Sequence, residues 1–333
     1  MYRDSKDNLE RDMTKQVTIV KGDYRGIAIE NQTFDVVKDL NVSKTGVMFI
    51  TVDATGHAGL PAKTIRVKVD SPEMLMKTET DQQVMDRLRK RFEILTDMAE
   101  ASIDGVVRGL VVTGPPGVGK SFGVEAVLDE AKVATKLMNT NEKYGVVKGA
   151  SSAIGLYKTL YEYADKGSVL VLDDCDTVLY DETSLNLLKA ALDSGKKRKL
   201  SWLSDSALLR REGIPDSFEF KGSVIFITNL KFEATRGKLK EHLNAILSRC
   251  HYLDLTMDTM RDKFLRCKQI VADGMLNEYN FKENEVEEIM TFIEDNQMRL
   301  RELSLRMVTK IADLRKMNKE KWKIYAESTC LTR

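Results

Sequence analysis

The segment Gly114-Pro115-Pro116-Gly117-Val118-Gly119-Lys120-Ser121 has the residue types and spacing to hold a chain of phosphates. Its glycines let backbone N–H groups turn inward with no Cβ in the way. Lys120 would reach the β- and γ-phosphates, and Ser121 would offer its hydroxyl to Mg²⁺. Phe122 follows in the first helical turn, where backbone N–H groups face an anion. A second set of groups, Asp173, Asp174 and Asp176, follows the apolar run Val169–Leu172. Asp173 would support Mg²⁺, and Asp174 would polarise a water, with Asp176 near enough to share that role. Together they suggest Mg²⁺-dependent attack of water on the γ-phosphate of ATP.

Such residues need strands to aim them. Leu110–Thr113 reads as a short apolar strand, followed by the glycine-rich turn and a helix from about Lys120 to Ala131. Val133–Met138 reads as a second strand, Ala153–Ala164 as a helix and Ser168–Leu172 as a third strand. Ser184–Leu192 reads as a helix, Ser223–Thr228 as a fourth strand and His251–Leu255 as a fifth. This alternation predicts an α/β fold, a doubly wound, mainly parallel sheet covered on both faces. Ahead of it, Val84, Leu88, Phe92, Leu95 and Met98 recur at helical spacing from Asp81 to about Ala101. Beyond Asp258 the pattern is helical, with candidates at 258–275, 283–297, 301–316 and 318–328. Acidic 282–295 and basic 299–323 read as solvated helix faces.

Residues 1–80 read as a small β-rich domain. Its runs Val17–Val20, Gly46–Val52 and Thr64–Val69 are separated by turn residues at Lys21-Gly22-Asp23, Thr55-Gly56 and Gly59-Leu60-Pro61, and Ser71-Pro72 closes it. The expected domains are thus 1–80, a core at 81–256 and a helical lid at 257–333.

Composition narrows the class. Of 333 residues, 42% are hydrophobic and 31% charged, which is globular rather than disordered. The 52 basic and 51 acidic residues give +1, so bulk charge does not bind this chain to nucleic acid, though a local basic patch still can. Cys175, Cys250, Cys267 and Cys330 are widely spaced, which argues against a disulfide scaffold or zinc site. Three histidines (His57, His242, His251) lack ligand spacing, and no nucleophilic triad stands out. With no long apolar run and a charged Met1–Gln16 segment, the expectation is a cytoplasmic protein.

These motifs resemble those of the AAA+ ATPases, over roughly residues 80–320. Val224-Ile225-Phe226-Ile227-Thr228-Asn229 is similar to the family's sensor 1 strand. The resemblance places that strand between the two motif strands, with Asn229 beside the γ-phosphate, orienting water. Ala245-Ile246-Leu247-Ser248-Arg249-Cys250 resembles the arginine-finger segment, with an echo of the Ser-Arg-Cys of clamp loaders. It implies that Arg249 acts on a neighbouring subunit's nucleotide in a hexamer-like ring. Leu303-Ser304-Leu305-Arg306 resembles the sensor 2 segment, so Arg306 would touch the phosphates in cis, with Arg301 as its competitor. Asp174 departs from the family's usual glutamate. One methylene less sets the base roughly 1.5 Å farther back, which bears on hydrolysis rate and leaves ATP binding untouched. The compact module with a β-rich front also resembles ATPases of tailed bacteriophages, which would place it in a host cytoplasm.

Two stretches are candidate substrate contacts. One is a loop from Lys143 to Gly149, where Tyr144-Gly145 could grip a polypeptide and Lys143 and Lys148 a phosphate backbone. The other is a hairpin carrying Lys196-Lys197-Arg198-Lys199, Trp202 and Arg210-Arg211, suited to DNA by charge and stacking. Three functions stay open: a ring that remodels nucleic acid, a ring that remodels protein, and a slow ATP-dependent scaffold or switch.

Overall fold

The computed structural model describes residues 16–43, 45–55, 60, 62–230, 238–257 and 259–332. Residues 1–15, His57 and the turn residues Gly56, Gly59 and Pro61 lie outside the described residues. The chain divides into two compact units, with the change between Arg87 and Leu88.

The first unit is built from β1 (Gln16–Tyr24), β2 (Ile27–Val42), β3 (Met48–Asp53), β4 (Thr64–Val69) and β5 (Leu75–Thr78). The sheet runs β2-β3-β4-β1-β5, and β1 also pairs with β2, which closes it on itself. Ile19, Ile29, Phe34, Val52, Ile65 and Val67 fill the interior, and β4 alternates exposed and buried residues along its length. Lys21-Gly22-Asp23 is not the expected turn but lies within β1. A Cβ at Gly22 would meet Val67 Cγ1 at 2.7 Å, so glycine there serves close packing. The turn falls at Arg25-Gly26, whose φ values of 53° and 86° make the tight two-residue hairpin that joins twisted strands. Nor does Ser71-Pro72 close the unit, because β5 follows and pairs with β1.

The second unit takes in part of α1 (Asp81–Ile103), then β6 (Gly109–Thr113), α2 (Lys120–Met138), β7 (Tyr144–Lys148), α3 (Ala153–Glu162) and β8 (Val169–Asp173). Next come α4 (Thr177–Tyr180), α5 (Glu182–Ala191), β9 (Lys199–Ser201), α6 (Ala207–Arg211), β10 (Ser217–Glu219) and β11 (Ser223–Thr228). The chain continues through α7 (Lys238–Leu247), β12 (His251–Asp254), α8 (Met260–Ile270), α9 (Glu283–Asp295), α10 (Leu305–Met317) and α11 (Trp322–Cys330). Five strands form a sheet in the order β12-β6-β11-β8-β7, and every pairing is parallel. β11 therefore lies between β6 and β8, as the resemblance implied.

Both sheet faces are buried, which is why β6, β8 and β11 are continuous apolar runs. Val111, Leu170, Leu172 and Phe226 face α3, α5 and α7 in one core. Leu110, Val112, Val171 and Ile227 face Leu95, Val124 and Leu128 of α1 and α2 in the other. The C-terminal helices have a core of their own, around Ile289, Ile293, Val308, Ile311 and Trp322.

Val133–Met138 is not a strand. It is the last part of α2, with Val133, Leu137 and Met138 exposed, and the helix ends at left-handed Asn139. The true neighbour of β8 is β7, so residues 143–148 are no channel loop. Tyr144–Lys148 is an edge strand paired to Val169–Asp173, and Tyr144 packs against the core.

Only Lys199 of the basic run lies on a strand, β9, which pairs antiparallel with β10; Lys196, Lys197 and Arg198 precede it, and Arg210-Arg211 end α6 between the two strands. Two of the expected DNA contacts in this stretch are spoken for. Arg198 is buried, donating Nη1 to Ala191 O and Nη2 to Gly222 O, both at 2.8 Å. Trp202 packs inward, its ring centroid 5.7 Å from that of Tyr157. Lys196, Lys197 and Lys199 stay exposed. The Trp202 indole N–H is buried without an acceptor. Trp202→Phe should therefore leave the protein as stable as before, or up to about 1 kcal/mol more stable in a urea melt.

The acidic and basic C-terminal segments meet each other rather than only water. Arg315 Nη2 lies 3.4 Å from Glu285 Oε1 and 3.2 Å from Glu288 Oε2, with Arg315 and Glu285 both buried. Arg315→Met leaves the buried Glu285 carboxylate with only Lys319 Nζ at 3.4 Å and the Lys282 N–H at 3.0 Å as partners. It should lower the thermal midpoint by roughly 5–10 °C, measured by circular dichroism.

Candidate active site

The site forms where β6, β8 and β11 end. After β6 the chain passes through Gly114, Gly117 and Gly119 with φ of 150°, 69° and 101°. The last two are left-handed values that other residues rarely adopt. Space is short as well, since a Cβ at Gly117 would lie 2.8 Å from Ser304 Cβ. α2 starts at Gly119 with no side-chain cap, so its first N–H groups face outward for an anion.

Lys120 is 5% exposed. Its Nζ donates to Gly114 O, Pro115 O and Asn229 Oδ1, each at 2.8 Å. Burial pulls it down to about 8, against Asp174 and Asp173, which hold it up. Asn229 in turn donates its Nδ2 to Asp174 Oδ1 at 2.9 Å. Lysine, asparagine and aspartate thus form one chain across the ends of three elements. Asp174 is itself left-handed, φ 53°, and its N–H bonds Ile227 O at 3.0 Å, which turns its carboxylate toward Asn229. Asp176 is engaged elsewhere, with its Oδ1 accepting from Thr228 Oγ1 at 2.6 Å, and burial pushes its carboxyl up.

Ser121 Oγ donates to Asp173 Oδ1 at 3.0 Å. A hydroxyl and a carboxylate side by side, next to a phosphate cradle, are what Mg²⁺ takes when it retains waters and phosphate oxygens as its other ligands. These residues fit that ion. Lys148 Nζ lies 3.4 Å from the other oxygen, Asp173 Oδ2, and 2.6 Å from Glu125 Oε1. Neither Lys148 nor Glu125 was expected here. Reading 143–149 as a loop hid that Lys148 ends the strand beside β8.

The start of α10 sits on the loop. Leu305 N–H donates to Gly117 O at 2.8 Å. Arg306 Cγ is 3.5 Å from where a Gly117 Cβ would stand, and its charge acts on Lys120. Arg301 is not at the site. It is held by Cys330 O and Leu331 O. Arg249 is exposed at the end of α7, where it donates to Ala245 O at 2.7 Å and lies 3.8 Å from Asp193 Oδ1. It makes no contact with the phosphate loop among the described residues. Pro115, Pro116 and Val118 complete the loop, and the Phe122 side chain is exposed on the first turn of α2.

A family model described as "ATPase family associated with various cellular activities (AAA)" matches residues 110–247, which hold the loop, both aspartates, Asn229 and the whole of α7. This chain belongs to the AAA ATPases. Over 319 residues it is 32% identical to an "Uncharacterized 36.7 kDa protein in nrdC-mobD intergenic region" of Enterobacteria phage T4, covering 92% of this chain and 96% of that protein. Among solved structures, the AAA fold here is similar to domain III of the Thermotoga maritima replication initiation protein DnaA. That match has a TM-score of 0.45 and 10% identity, over 74% of this chain and 92% of the other. A DNA replication initiation factor gives a TM-score of 0.41 and 14% identity over 72% of this chain; the match spans 64% of that chain. No described helix of this AAA ATPase is long and apolar enough to cross a membrane.

Proposed function

We propose that this AAA ATPase binds Mg²⁺-ATP at the Gly114–Ser121 loop, hydrolyses it in a ring of copies, and uses the turnover to remodel nucleic acid. The observation that carries the ATPase reading is the bonded chain Lys120–Asn229–Asp174 beside Ser121–Asp173. Backbone N–H groups of the loop and Lys120 hold the phosphates. Ser121 and Asp173 hold the metal, which when bound neutralises charge on the β- and γ-oxygens. Asn229 fixes the water, and Asp174 takes its proton as the water oxygen bonds to phosphorus and the bond to the bridging oxygen breaks. Arg249 serves the nucleotide of a neighbouring copy, and Arg306 couples the C-terminal helices (257–333) to the phosphates. The domains follow as 1–80, 81–256 and 257–333, in a protein of phage type working in a host cytoplasm.

Exposed Lys196, Lys197 and Lys199 support a nucleic-acid substrate. Protein threading loses its support, because Tyr144 is packed in β7. The switch reading keeps one observation: the Asp174 carboxylate is short and already bonded to Asn229.

The test is ATP turnover with and without single- and double-stranded DNA at two salt concentrations, with Lys120→Ala as the blank. Stimulation that fades with salt and is lost on replacing the three lysines is expected. Turnover indifferent to DNA would overturn the substrate. Retained ATP binding with near-absent turnover would put the switch in its place.

A further inference from the structure

Asp176 takes no part in the hydrolysis described above, and its bonding is not what its place in the chain predicts. It precedes α4, where an aspartate ordinarily accepts from the helix's own first N–H groups. Here it makes no such bond, and its backbone is already helical, with φ −60° and ψ −24°. The carboxylate turns sideways instead. Its Oδ1 accepts from the Thr228 hydroxyl, on another strand, at 2.6 Å. Thr228 is fully buried, and the same Oγ1 accepts the Leu230 N–H at 3.0 Å.

Thr228 and Leu230 are the two neighbours of Asn229. The strand pairings of β11 end at Thr228, so the sheet no longer fixes the backbone at Asn229. The bond from Leu230 N–H to Thr228 Oγ1 closes a turn around it instead. Such a bond is weak by itself, and a threonine side chain has other staggered positions to adopt. A charged acceptor holds a hydroxyl roughly twice as strongly as a neutral one. Asp176 therefore selects the position in which Oγ1 meets the Leu230 N–H. Two more bonds cross the same gap, Asp174 N–H to Ile227 O at 3.0 Å and Asn229 Nδ2 to Asp174 Oδ1 at 2.9 Å. The turns that follow β8 and β11 are thus tied into one unit, of which Asn229 is an exposed member.

We propose that Asp176 is a positioning residue for hydrolysis: through Thr228 it sets the turn that aims the Asn229 amide. This rests on the ATPase reading and adds to it a residue that touches neither nucleotide nor water. Asp176 then accepts a hydrogen bond and takes no proton from water. Thr228→Val removes both bonds at nearly constant shape, and Asp176→Ala removes the acceptor. Each should lower kcat about tenfold, with ATP affinity by calorimetry unchanged. Valine suits a buried strand end, so Thr228→Val carries the test should Asp176→Ala not fold. Thr228→Ser and Asp176→Asn keep a hydroxyl and an acceptor oxygen, and each should stay within about threefold of wild-type turnover. Asn229→Ala should lose more than either, and adding Thr228→Val to it should cost nothing further, because both changes act on one group.

Fold-losses that multiply in the Thr228→Val, Asn229→Ala double variant would mean that Thr228 acts elsewhere and would overturn the proposal. Asp176→Asn as slow as Asp176→Ala would make charge or proton transfer the role, and would overturn it too. If wild type turns over ATP no faster than Lys120→Ala, the hydrolysis reading fails and this inference with it. If wild type is active and both Thr228→Val and Asp176→Ala match it, whatever their melting points, this inference alone fails.

Discussion

Replacing Arg249 by alanine should cut ATP turnover by about 10³-fold and leave ATP affinity as it was. The side chain is exposed at the end of α7, bonded to Ala245 O and loosely paired with Asp193 at 3.8 Å. Losing those contacts costs the fold little, because exposed ion pairs are weak. In its own subunit Arg249 does not touch the phosphate loop, so a large kinetic effect requires a second copy. Three measurements check this. Turnover per subunit should rise with protein concentration. Affinity should be equal for wild type and Arg249→Ala. Mixing Arg249→Ala with Lys120→Ala should recover activity, since each supplies the arginine or the loop that its neighbour lacks. Concentration-independent turnover in a protein that stays monomeric with ATP would remove the trans role and the ring with it.

The second large effect is at Lys120. Lys120→Ala should weaken ATP binding by about 10²–10³-fold, measured by calorimetry. More than a charge is lost, because the ammonium satisfies two loop carbonyls and the Asn229 amide oxygen. Without it Gly114 O, Pro115 O and Asn229 Oδ1 face one another unpaired, and Asn229 is freed to turn from Asp174. The variant should therefore also melt below wild type without nucleotide, unlike Arg249→Ala. Wild-type affinity in Lys120→Ala would exclude this loop as the phosphate site.

The core of the site was legible because its chemistry constrains residue types locally. Glycines at left-handed positions, a lysine after them and carboxylates after a doubly buried strand leave few substitutes. The parallel strands were legible for a related reason, since burial on both faces writes an uninterrupted apolar run. β2 was missed because it buries little beyond Ile29 and Phe34 and otherwise reads as polar linker. Val133–Met138 misled in the opposite way. Its branched and apolar residues suit a strand, yet three of them sit exposed on the end of a helix. That error displaced the next strand and cost Lys148 its place beside Asp173. Arg198 and Trp202 were illegible for a different reason. Arginine and tryptophan are at home on a surface or in a core, and which one holds depends on carbonyls and rings far away in sequence.

The Leu305–Gly117 backbone bond has a consequence for how tightly the two ends of this AAA ATPase move together. α10 cannot swing from the loop without breaking a main-chain bond that, short of proline at 305, no side-chain substitution deletes. Removing Arg306 takes away a cation that repels Lys120 and leaves this mechanical bond in place. The Leu305 amide should then act as a clock for opening, its deuterium exchange slow while the helix is docked and fast when it lifts. By reciprocity, whatever slows that exchange on nucleotide binding tightens the nucleotide by the same factor when the helix is held shut.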